Sequence, residues 1–146
     1  MELPFTSLLS AADRRRVVAA IGDAERMTSG EIRVHVQPRC GEDPVREATR
    51  VFERLGMTRT AARNGVLIFV AVRARRFAVI GDAGIHAAVG DDFWRTTAEA
   101  MAPHFARGET AAGIEAGVRA IGAALKRSFP HQRNDENELP NEISER

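Results

Sequence analysis

The sequence predicts an α/β fold, a compact three-layer α/β/α sandwich around a small mixed sheet. Three observations carry this expectation. Residues 65–72, GVLIFVAV, are apolar throughout, so they read as a strand buried on both faces that needs helices above and below it. Only residues 73–76 separate that run from FAVIGD at 77–82, too few for a parallel crossover, so the two strands form an antiparallel hairpin. Segments with helical apolar periodicity lie on both sides of the hairpin, which gives the order α-β-α-β-β-α-α.

Each element has its own justification. Ser10 and Asp13 form a capping-box variant that opens the first helix, where Val17, Val18, Ile21 and Ala24 recur at helical spacing. Arg14, Arg15 and Arg16 fall mostly on its outer side, as a solvated face or a phosphate-binding one. Thr28, Ser29 and Gly30 end that helix and lead into EIRVHVQP. There Ile32, Val34 and Val36 alternate with Glu31, Arg33, His35 and Gln37, the pattern of a half-buried strand with His35 on its solvent-facing side. Asp43 caps the second helix and Pro44 begins it; Val45, Ala48, Val51, Phe52 and Leu55 form its stripe, and Gly56 closes it.

Beyond the hairpin, IHAAVG makes a short helical turn that leads to Asp91 and Asp92. These acids cap or begin a third major helix marked by Phe93, Trp94, Thr97, Met101 and Phe105, with Trp94 packed on the sheet. A last helix runs from about Thr110 to Phe129, and its Gly113, Gly117 and Gly122 allow close approach of another helix. Residues 131–146 are polar and acidic and are expected to form a disordered tail, which leaves residues 1–130 as the single folded domain.

Charge and composition exclude several classes. The 146 residues carry 21 Lys+Arg against 20 Asp+Glu, a net charge of +1, which argues against a strongly basic nucleic-acid clamp. The tail holds five acids against two arginines, a net of −3, so residues 1–130 stand at +4. One cysteine, Cys40, excludes an intramolecular disulfide and any Cys-based zinc site. The longest apolar run is far short of a bilayer span, and the N-terminus lacks the pattern of a signal peptide. The expectation is a cytoplasmic protein with no membrane anchor in this chain.

Candidate chemistry concentrates at strand and helix ends. GDAGIHAAVGDD places Asp82 just after a strand and Asp91 and Asp92 at a helix start; if the turn between them folds back, all three converge. Such an oxygen-only set suits Ca²⁺ or Mg²⁺ rather than zinc. The structural alternative is that Asp82 holds its loop while Asp91 or Asp92 caps the helix. Glu31 and Asp43 stand at the margin of the same acidic group. Arg63 and Asn64 precede the buried strand, and the antiparallel hairpin brings Asp82 to that same sheet end. Arg63 and Asn64 are therefore candidates to bind phosphate beside a metal, or Arg63 simply pairs with Asp82. No nucleophile elbow, P-loop, zinc-protease or EF-hand motif is present, and no catalytic residue is assigned.

Several short motifs now stand in one order: SGEIRVHV at 29–36, VFERLGM at 51–57, RNGVLIFVAV at 63–72, RRFAVIGDAGI at 75–85 and VGDDFW at 89–94. Over about residues 10–130 this arrangement resembles the TPM domain family, which includes the thylakoid photosystem II repair protein and many bacterial proteins. The resemblance implies an α/β/α sandwich, a divalent-cation site at loop ends, and acid phosphatase activity in some members. Asn64 and Gly65 match its N-G-V-L motif and Asp92 its acidic position. Gly81, Asp82, Ala83 and Gly84 depart from the G-Y-G turn of many relatives. The combined expectation is a cation-binding interaction module with a protein partner facing Arg73, Arg75 and Arg76. The alternative is a metal-dependent acid phosphatase acting on phosphomonoesters.

Overall fold

The apolar run that opens at Gly65 takes an interior place in the sheet, as its lack of polar side chains demands. The computed structural model describes residues 8–131 and 143–145. Its elements are α1 (Ala11–Glu25), β1 (Glu31–Gln37), α2 (Pro44–Arg54), β2 (Gly65–Ala71), β3 (Arg76–Gly81), α3 (Ala83–Ala88), α4 (Asp91–Ala106), α5 (Thr110–Ser128) and β4 (Ser144–Glu145). The sheet order is β3-β2-β1-β4. β1 and β2 run parallel with α2 as the crossover, β2 and β3 form the expected antiparallel hairpin, and β4 joins β1 in parallel.

Alternation along the strands decides what lies on each face. Ile32, Val34, Val36, Val66, Ile68 and Val70 point into one core with residues of α1, α4 and α5. Leu67, Phe69 and Ala71 point the other way, into a smaller core closed by Ala48, Val51 and Phe52 of α2. Three layers result. The glycines of α5 serve close packing as expected: a Cβ at Gly117 would lie 2.5 Å from the sulfur of Met101, and one at Gly122 would lie 2.9 Å from Ala24. Caps also follow the sequence, with Ser10 accepting from the Asp13 amide and Asp43 from that of Arg46.

Three expectations are corrected. His35 is not at the surface: it is fully buried, stacked on Phe69 with ring centroids 5.9 Å apart and hydrogen-bonded to Gln37 and Ser144. β1 lies between β2 and β4, and its Gln37 together with Ser144 of β4 satisfies both ring nitrogens of the enclosed His35. Val45, placed on the apolar stripe of α2, is 55% exposed. The tail is ordered at residues 143–145, because Ile143 can bury its side chain against the main core while the next two residues pair with β1. Residues 132–142 lie outside the described residues. Among those described, no helix is long and apolar enough to cross a membrane.

Candidate functional site

Because β1 and β2 run together and β3 runs back, one sheet end collects the starts of β1 and β2 and the finish of β3. The loop entering β2 is built around Thr60, which accepts the Asn64 amide on its hydroxyl and the Arg63 amide on its carbonyl. This leaves Arg63 in the left-handed region at φ 52°. Its guanidinium then meets Asp82 in a two-pronged pair, Nε to Oδ2 at 2.6 Å and Nη2 to Oδ1 at 2.7 Å. Asp82 also accepts the Ala83 amide at 2.7 Å and so caps α3.

The two partners differ in exposure: the Asp82 side chain is 4% exposed and that of Arg63 is 49% exposed. Burial pushes the Asp82 carboxyl up. The Arg63 and Ala83 hydrogen bonds, with the charges of Arg63 and His86, outweigh it and hold the carboxyl below its ordinary value. Both Asp82 oxygens are thus engaged by cationic or amide donors. Asp82→Ala removes the cap and leaves the guanidinium unpaired; we expect about 1 kcal/mol less stability in urea unfolding at neutral pH. Wild-type stability from this group is present above the ordinary aspartate pKa and is lost as pH falls through the depressed one.

A second acidic feature at this end links α1 to β1. The turn after α1 is fixed by Thr28, whose hydroxyl donates to the Phe129 carbonyl and accepts from the Gly30 amide. The chain reverses there and sets Glu31, 3% exposed, against Glu25, the last residue of α1. Glu25 accepts the Ile32 amide at 3.1 Å. Burial is the largest effect and pushes the Glu25 carboxyl up; the Ile32 amide opposes it, and the smaller effects of the hydrogen bond and charge of Glu31 add to it, leaving the carboxyl at about 8. At neutral pH the Glu25 carboxyl therefore keeps its proton. Asn64 completes this corner. Its carbonyl accepts the Glu31 amide at 3.2 Å and its Nδ2 donates to the Ser29 carbonyl at 3.4 Å. Its Oδ1 is buried without a hydrogen-bond partner among the described residues.

The predicted site residues are thus distributed as follows. Arg63, Asn64 and Asp82 share the sheet end, as the antiparallel argument requires. Asp91 and Asp92 sit exposed in the first turn of α4, whose cap is Gly90, and Asp92 pairs with Arg95 at 2.7 Å. Trp94 carries this turn to the sheet, lying over Gly81. Among the described residues no three His, Cys, Asp or Glu side chains gather closely enough to hold a metal ion. Two of the hairpin arginines are bound to backbone carbonyls, Arg75 to Ala106 at 3.0 Å and Arg76 to Gly41 at 3.2 Å. Glu25 is the residue sequence reasoning missed. Its helical position gives no sign that the turn returns Glu31 to its side.

A mixed four-stranded sheet with α2 on one face and α1, α4 and α5 on the other, with acids, an arginine and an asparagine at one end, defines a small α/β/α domain. The chain belongs to the TPM domain family, whose model (TPM phosphatase) matches residues 4–124. It is similar to the BA42 protein of the psychrophilic bacterium Bizionia argentinensis, solved by NMR, at 42% identity and a TM-score of 0.91 over 97% of this chain and 98% of that one. The N-terminal domain of a P. gingivalis protein matches with a TM-score of 0.69 and 25% identity, over 88% of this chain and 83% of that one. The N-terminal domain of the cg2496 protein from Corynebacterium glutamicum, at 16% identity and a TM-score of 0.63 over 97% and 84%, shares the fold. No curated protein matches the chain.

Proposed function

We propose that this chain is a divalent-cation-binding interaction module that takes Ca²⁺ or Mg²⁺ at the corner formed by Glu25, Glu31 and Asn64. The observation that carries the reading is the Glu25 and Glu31 carboxyl groups held together at a corner where Asn64, whose carbonyl accepts the Glu31 amide, keeps a buried and unpartnered side-chain oxygen. A hard cation prefers oxygen donors and can replace the Glu25 proton, offsetting the repulsion of two carboxylates held together. Asp82 is less suited to this role, since Arg63 already neutralises it. The exposed Asp91 and Asp92 form the competing set, and a cytoplasmic setting belongs to the same proposal.

Calorimetric titration with CaCl₂ and MgCl₂ in buffers of different ionisation enthalpy tests it. We expect binding to release close to one proton at pH 7 and to tighten as pH rises toward about 8, following the Glu25 carboxyl. Glu25→Gln or Glu31→Gln should weaken binding at least tenfold, while Asp91→Asn with Asp92→Asn leaves it unchanged. The opposite pattern moves the site to α4, and no binding below millimolar cation removes it.

The second reading, a metal-dependent acid phosphatase acting on phosphomonoesters, is favoured by the half-exposed Arg63 guanidinium at the same end. It requires turnover of a chromogenic phosphomonoester that is lost on chelation and on Arg63→Gln.

A further inference from the structure

Among the described residues the outer edge of β1 is occupied by little chain. There β4 pairs through two residues, Ser144 opposite His35 and Glu145 opposite Val36, while β1 itself runs for seven. Three specific features hold it in place. Ile143 is 5% exposed and lies in the main core. The Ser144 hydroxyl meets Nδ1 of the buried His35 at 3.1 Å. Glu145 accepts from Arg14 and from the Leu8 amide, the latter at 3.1 Å, and Arg14 also reaches the Ile143 carbonyl. A strand edge is a template for another strand, and a chain guards it with a short or charged segment. Here the guard is one apolar anchor, one hydroxyl and one carboxylate, joined to α5 through the polar residues 132–142.

We propose that this edge is a docking site for an extended segment of a partner protein that carries an apolar residue two positions before a carboxylate, with residues 143–145 as its resident competitor. The chemistry of the partner follows from what already sits there. Backbone pairing with β1 supplies affinity, and the Ile143 pocket, His35 and Arg14 supply the side-chain specificity. A tethered segment acts at high effective concentration, so a partner gains access when the tether's own anchors are lost or outcompeted. The proposal stands apart from the cation reading, and its test is run in EDTA so that the two fail separately.

The probe is a fluorescein-labelled peptide of residues 141–146, NEISER, titrated by anisotropy against the full chain. The competitor is released in place by Ile143→Asp with Glu145→Lys, which leaves β1 and Arg14 untouched. We expect the released chain to bind the peptide at least tenfold more tightly than wild type. Adding Arg14→Glu to it should abolish that gain for NEISER and transfer it to NEISKR. Equal binding by wild-type and released chains, absence of binding by the released chain while its circular dichroism is unchanged, or indifference to Arg14→Glu overturns the proposal.

Discussion

Gly84→Ala is expected to cost about 3 kcal/mol of stability, the upper end for an overpacked position, and to disrupt the sheet end as it does so. A Cβ at Gly84 would lie 2.3 Å from the Ala62 carbonyl oxygen and 2.7 Å from that of Arg63. Both atoms are backbone, so no side-chain rotation relieves the contact. The Gly84 amide also donates to the Arg63 carbonyl at 2.9 Å, which ties the first turn of α3 to the loop entering β2. Separating the two to admit a methyl group breaks that hydrogen bond and pulls Arg63 from Asp82. Urea unfolding checks the prediction, with Gly41→Ala as control because nothing lies within 4 Å of its Cβ position. A loss below 1 kcal/mol at Gly84 would mean that the loop yields freely. The approach of α3 to it would then not be what places Arg63.

The clash at Gly84 is invisible in the sequence, yet the pairing it supports was legible there. Four residues between two strands dictate a hairpin, and a hairpin brings Asp82 back to Arg63. Apolar periodicity likewise marked every major helix, and the caps at Ser10 and Asp43 followed from local chemistry. His35 was misread because strict alternation identifies two faces without saying what covers each of them. The α2 side of β1 is polar and still enclosed, since His35, Gln37 and Ser144 satisfy one another. β4 escaped for a related reason. A lone Ile143 in an acidic segment has no periodicity, and only the tertiary edge of β1 makes it a strand. Glu25 and Glu31 belong to two elements whose angle is set by the turn at Thr28. That turn is anchored in turn on Phe129, about a hundred residues along the chain.

The Glu25 and Glu31 pair makes stability depend on pH in the direction opposite to Asp82. The Glu25 carboxyl stands at about 8 in the folded chain against an ordinary 4.5. Below the ordinary value both folded and unfolded chains carry the proton, and the contribution of the pair is fully present. Between the two values the folded chain keeps a proton that the unfolded chain has released, so stability falls steadily as pH rises. Above about 8 Glu25 is ionised in the folded chain as well, and the contribution is lost. A unit of pKa displacement corresponds to about 1.4 kcal/mol. Allowing for the part of Glu25 still in contact with water, the fall is on the order of 2 kcal/mol. Glu25→Gln imitates the protonated acid: its amide oxygen can accept the Ile32 amide and its nitrogen can donate to Glu31. We therefore expect the variant to match wild type near pH 4.5 and to exceed it by about 2 kcal/mol at pH 9. The difference between the two unfolding curves isolates this residue, because titration of Asp82 is common to both. If that difference stays flat from pH 4.5 to pH 9, Glu25 does not hold its proton into the neutral range. Of the properties that suit the corner to a cation, only the unpartnered Asn64 oxygen then remains.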